Sequence, residues 1–119
     1  MISDVTTERD AQELIGQSNL RPLLLLKHST RCPVSSRAWR EFQAFSGQAD
    51  HNAVTCARVL VVEHRLVSLW FADALGVTHA SPQVILIIDG TAVWNASHLG
   101  ITVNAIRKAL DAADTKTGS

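Results

Sequence analysis

The spacing of apolar and polar positions divides the chain into eight elements. Thr7-Glu8-Arg9-Asp10 has the form of a capping box, and Ala11, Leu14 and Ile15 follow at helical spacing, which predicts a helix over 8–17. Residues 23–27 are a short apolar run between Pro22 and a polar segment. They predict a strand buried on both faces, as in a parallel sheet. From Pro33 the period lengthens. Val34, Ala38, Phe42 and Phe45 share one helical face, Arg37 and Glu41 stand four apart as an ion pair, and Gly47 marks the end. Residues 54–62 are apolar and β-branched, a second strand. Residues 66–75 are helical by length and composition, with Gly76 as the left-handed C-terminal residue. Pro82 opens the apolar run 84–88, Asp89-Gly90 is a two-residue hairpin signal, and 92–94 return as a strand. Thr102 caps a last helix whose apolar face is Val103, Ile106, Leu110 and Ala113.

The order is α-β-α-β-α-β-β-α. A βαβ half followed by a ββα half is the thioredoxin layout, an α/β fold with a four-stranded mixed sheet flanked by helices. It predicts one domain over 1–114 and a flexible tail over 115–119. The first two strands are parallel because a helix crosses between them. The last two form an antiparallel hairpin. The strand 23–27 then lies in the sheet interior. The segment after it falls at the C-terminal edge, where open α/β sheets carry their sites.

Composition narrows the function. The chain has 119 residues, 46% of them apolar and 18% charged, which suits a single globular core. Eleven basic residues balance eleven acidic ones without a basic stripe, so neither nucleic acid nor a membrane surface is the expected partner. The apolar runs are too short to span a bilayer, and the N-terminus lacks the apolar stretch of a signal peptide. Two cysteines do not make a disulfide framework, and a reducing cytoplasm is the expected setting. There is no Cys-x-x-Cys or His-x-x-x-His spacing, so neither a metal site nor a bound cofactor is expected. Nothing in the sequence sets an oligomeric state.

The candidate chemistry sits at Cys32, in Lys27-His28-Ser29-Thr30-Arg31-Cys32-Pro33-Val34-Ser35. Pro33 suits the first helical position, which places Cys32 at the N-cap with its sulfur expected to receive the N–H of Val34 or Ser35. A helix N-terminus and the neighbouring Arg31 both favour the thiolate, the reactive form of cysteine. Ser35 stands where a Cys-x-x-Cys motif has its second sulfur. A serine can donate a hydrogen bond to the thiolate but cannot resolve a mixed disulfide, so resolution falls to an external thiol. Cys56 falls near the start of the second strand, about five residues at ~3.3 Å each from the level of Cys32, whereas a disulfide needs Cα atoms within about 7 Å. It reads as a small core residue. Ser81-Pro82 opens a central strand, which points to a cis bond near Cys32 with the Ser81 backbone open to an extended substrate. Thr30 and Arg31 are candidate substrate contacts. His28, Trp39, Trp70 and Trp94 read as packing residues.

Four segments, KHSTRCPVS (27–35), EHRLVS (63–68), HASPQVILIIDG (79–90) and VWNASHLGIT (93–102), resemble the monothiol bacilliredoxins, the YtxJ-like thioredoxin-fold family of bacillithiol-using bacteria. The resemblance covers nearly the whole chain. The family commonly has Thr before the cysteine and Ile after the proline, where this chain has Arg31 and Val34. Its acidic segment usually reads Glu-Asn-Arg-Pro, here Glu63-His64-Arg65-Leu66. What the resemblance implies is removal of bacillithiol from S-bacillithiolated proteins. Cys32 is then the nucleophile, Ser35 the lost resolving position and Pro82 the substrate-side cis position, while Pro33, beside Cys32, is a further candidate substrate contact. His98 and Gly100 precede the last helix, where related folds bind the small thiol. Bacillithiol would be a co-substrate, a low-molecular-weight thiol partner that regenerates Cys32. Three alternatives stand beside this reading: a glutathione-using glutaredoxin-like enzyme, an iron–sulfur carrier, against which the stiffening Pro33 argues, and a non-catalytic redox-sensing module.

Overall fold

All six residues of one strand, Leu23–His28, are buried, and the rest of the chain is built around it. The computed structural model describes residues 2–50 and 52–117. In chain order the elements are β1 (Ile2–Asp4), α1 (Glu8–Gln17), β2 (Leu23–His28), α2 (Pro33–Gln48) and β3 (Thr55–Leu60). There follow α3 (Arg65–Leu75), β4 (Gln83–Ile88), β5 (Thr91–Ser97), a 3-10 turn His98–Gly100 and α4 (Val103–Thr117). The sheet order is β1-β3-β2-β4-β5, with β2 parallel to β3 and antiparallel to β4. This is the expected layout with a fifth strand in place of the four expected.

The added strand is β1, which pairs parallel with β3 from Ile2↔Cys56 to Asp4↔Arg58. Three residues with one apolar side chain carry no period, so its signal lies in its partner. The free edge of β3 supplies the ladder, the N–H of Val5 reaches the Arg58 carbonyl at 2.8 Å, and Arg58 Nε meets Asp4 at 2.8 Å.

Alternation along β2 divides the core. Leu24 and Leu26 pack with Phe42 and Phe45 of α2 and Ile106 of α4. Leu23 and Leu25 pack with Ala11 of α1 and with Val67 and Phe71 of α3. Each fully buried leucine contributes about 2 kcal/mol by removal of apolar surface from water. The hairpin turn has φ of 51° at Asp89 and 76° at Gly90, the left-handed pair that matches strand twist. Gly76 is left-handed at φ 65°, and Thr102 Oγ1 accepts the N–H of Ala105 at 3.0 Å, as expected of both.

Two local expectations change. Glu41 does not pair with Arg37; its Oε1 accepts the N–H of Val103 at 3.2 Å. The unpaired N–H groups and positive end of α4 outcompete an exposed i,i+4 pair for the carboxylate. The helix α4 runs to Thr117, three residues into the segment read as a tail, while Gly118 and Ser119 lie outside the described residues. No described helix is long and apolar enough to cross a membrane.

Candidate functional site

Strand directions bring four loops to one edge of the sheet. β2 and β3 end there, at His28 and Leu60, and antiparallel β4 begins there at Gln83. The 29–32 turn, the 61–64 turn, the 78–82 loop and the 98–100 turn therefore share that edge. The N–H of Val61 bonds the His28 carbonyl at 2.9 Å, and that of His98 bonds the Pro82 carbonyl at 3.0 Å. Helix α2 packs against the 98–100 turn.

Cys32 is the N-cap of α2, extended at φ −113° and ψ 124°, with Pro33 at the first helical position. Its carbonyl accepts the N–H of Ser36 at 3.0 Å, the first bond of the helix. The thiol is half-buried. The sulfur makes no capping hydrogen bond, contrary to the expectation that it would receive the Val34 or Ser35 N–H. Oxygen is the stronger acceptor, and the turn closes on it instead. Ser35, fully buried, accepts the N–H of Ser29 through Oγ at 2.9 Å. The hydroxyl in the second-sulfur position thus ties the loop to the helix and leaves the thiol uncommitted. Thr30, Arg31 and Pro33 are exposed around it.

Cys56 is 2% exposed and pairs with Leu24, four residues before the end of β2. Burial pushes its thiol pKa up, partly offset by a hydrogen bond from Ser46. It is a core residue at the far level of the sheet, as expected. The Ser81-Pro82 bond is cis. Ser81 is half-buried with its Oγ unpartnered. Of the two residues expected to hold the small thiol, His98 takes the left-handed conformation at φ 55°, and both it and Gly100 are exposed. A methyl group on Gly100 would meet only Ala96, at 3.8 Å, so close packing does not demand the glycine.

The profile of the family monothiol bacilliredoxin BrxC matches residues 3–106. The chain belongs to the monothiol bacilliredoxin family. A solved protein with a thioredoxin fold, provisionally assigned as an oxidoreductase, is 27% identical over 92% of this chain and 93% of its own, with a TM-score of 0.83. The thioredoxin of Fasciola hepatica is 19% identical, covers 92% of this chain and 97% of its own, and has a TM-score of 0.74. That of Trypanosoma brucei brucei is 11% identical over 97% and 92%, with a TM-score of 0.77. The thioredoxins show the fold. The family adds thiol redox function.

Three residues behind the edge of this bacilliredoxin matter more than their sequence positions suggested. His28 stacks on Trp39 with ring centroids 5.3 Å apart, and the Arg58 guanidinium lies over the same Trp39 ring, 4.2 Å from its centroid. The His28 Nδ1 is buried without a partner, so the side chain packs but is not satisfied. Burial first, then the Arg58 charge, hold its pKa below the usual value. Lys27, which follows four leucines in β2, is 0% exposed, with Nζ 3.1 Å from Nδ1 of His79. Burial brings its ammonium down from 10.5 to about 8. Burial, Lys27 and Arg65 lower the pKa of His79. The signal for Lys27 was legible: a cation inside a run that must be buried on both faces has to find an acceptor. A cleft of 630 Å³ lies at the other end of the sheet beside Pro22, Val54 and Leu110. None of the described residues that line it is a cysteine or histidine.

Proposed function

We propose that this chain removes bacillithiol from mixed disulfides on protein cysteines in a reducing cytoplasm. The observation that carries the reading is the pairing of the family match over 3–106 with one half-exposed thiol whose potential internal resolver, Cys56, is buried four residues down the sheet. The Cys32 thiolate attacks the cap sulfur of a protein–S–S–bacillithiol disulfide. The protein thiolate leaves and takes up a proton, and Cys32 carries the cap. A bacillithiol thiolate then attacks that cap sulfur, giving oxidised bacillithiol and the Cys32 thiolate. The incoming bacillithiol sulfur is oxidised and the protein sulfur reduced, the cap sulfur stays at the disulfide level throughout, and Cys32 ends unchanged. Thr30, Arg31 and Pro33 border the attacking sulfur and contact the substrate. The Ser81 backbone beside Pro82 receives the extended substrate, and His98 and Gly100 contact the small thiol.

Intact mass after exposure to oxidised bacillithiol tests the chemistry. One adduct forms on the wild type and on Cys56→Ser, and none on Cys32→Ser. Turnover of bacillithiolated against glutathionylated peptide tests the preference. Equal release from the two, or none from the first, overturns the bacillithiol reading and leaves the glutathione one.

A further inference from the structure

The 78–82 loop is held from beneath by two side chains that the exchange chemistry does not use. Lys27 of β2 and Gln83 of β4 are directly paired across the antiparallel ladder, so their side chains leave the sheet on one face, side by side. Both are buried, at 0% and 2% exposure. Lys27 Nζ bonds Nδ1 of His79 at 3.1 Å, and Gln83 Nε2 donates to the Thr78 carbonyl at 3.1 Å. An ammonium can only donate, so His79 accepts at Nδ1 and carries its proton on Nε2. His79 is itself exposed, yet this nitrogen is turned onto a buried amine. Gln83 Oε1, the Ser81 Oγ of the loop itself and, on α3, Ser68 Oγ are buried without partners. Such a set of polar groups weakens a core unless it does something else there.

We infer that Lys27 and Gln83 are positioning residues, which fix the 78–82 loop so that its backbone is presented to the incoming protein disulfide. The inference rests on the function proposed above for the loop. Lys27 acts through His79 and never touches the reacting sulfurs.

The experiment compares the full-length wild type with Lys27→Met, His79→Ala, the double variant and His79→Gln, which restores an acceptor. The substrate is whichever capped peptide, bacillithiolated or glutathionylated, the wild type turns over, so a lost bacillithiol preference bears on the functional reading alone. Each single variant raises KM about tenfold, the low end for one hydrogen bond to a charged group, with kcat within about twofold. The double variant is no worse than either single one, and His79→Gln recovers most of the loss. Alkylation of Cys32 by iodoacetamide, which has no use for the loop, keeps its wild-type rate. Amide hydrogen exchange at 78–81 reads the clamp without any turnover and accelerates in both single variants. Wild-type KM in His79→Ala, additive losses in the double variant, alkylation slowed in step with turnover, or unchanged exchange at 78–81 would each overturn the inference. Since His79 is exposed, His79→Ala carries the test even where Lys27→Met fails to fold.

Discussion

Lys27 makes the stability of this protein depend on alkaline pH in a direction that can be worked out. Its ammonium is fully buried, and its folded pKa is about 8 against 10.5. Between those values the unfolded chain holds a proton that the folded chain has released, so stability rises with pH across the window. Below pH 8 the folded state carries the full penalty. At about 1.4 kcal/mol per unit, the drop from 10.5 to about 8 amounts to about 3–4 kcal/mol. Lys27→Met removes both the penalty and the bond to His79. Near pH 7 these offset, since a hydrogen bond to a charged group is worth about 1.5–3 kcal/mol. By pH 10.5 the wild type has regained about 3 kcal/mol that the variant never lost.

The assay is urea unfolding followed by tryptophan fluorescence from pH 8 to 10.5, read as wild type minus Lys27→Met. The subtraction is needed because buried Cys56 has the opposite sign. Its raised pKa means that the unfolded thiol ionises first, which lowers stability above pH 9 in both proteins and cancels in the difference. The chain has no tyrosine to confuse the window. A difference that stays flat from pH 8 to 10.5 refutes the reasoning, because a buried amine with a lowered pKa cannot be pH-neutral there.

On the acid side, His28 and His79 have lowered pKa values, so stability is lost as pH falls below 6.5. His28→Asn should flatten part of that loss and abolish a Trp39 fluorescence transition centred below pH 6.5, which follows from the stacked rings. Ser35→Ala leaves the Ser29 N–H without its acceptor and should cost about 1–2 kcal/mol by urea midpoint, with the mass adduct on Cys32 retained. Glu41→Ala removes the carboxylate from the start of α4 and should cost about 1 kcal/mol, whereas Glu41→Gln, which keeps an acceptor, should cost about half that.

The elements with a strong period were legible from sequence, and so was the site that their order creates. Phe42, Phe45 and Ile106 declare their faces by spacing, and the helix N-terminus at Cys32 follows from Pro33 alone. What could not be read depends on partners distant in the chain. β1 exists because β3 has a free edge, and Glu41 turns to Val103, 62 residues away, because α4 starts beside it. Lys27 falls between the two cases. Its place in a buried strand was visible, but its acceptor, 52 residues on, was not.

Ser35 shows the same limit at the chemical centre. From spacing alone it is an absence, the second sulfur replaced by oxygen. In the fold it is an acceptor, the group that closes the Ser29–Ser35 turn at zero exposure. Sulfur is a weaker acceptor than a hydroxyl, so Ser35→Cys would not simply restore a dithiol enzyme. It would supply a resolving thiol within disulfide reach, one helical turn away, and loosen the turn that presents Cys32. Whole-mass analysis after oxidation should then show an internal disulfide in place of the bacillithiol adduct, together with a lower urea midpoint. If the disulfide forms with no loss of stability, the Ser29 bond contributes little, and the monothiol site owes its arrangement to Pro33 and the helix start alone.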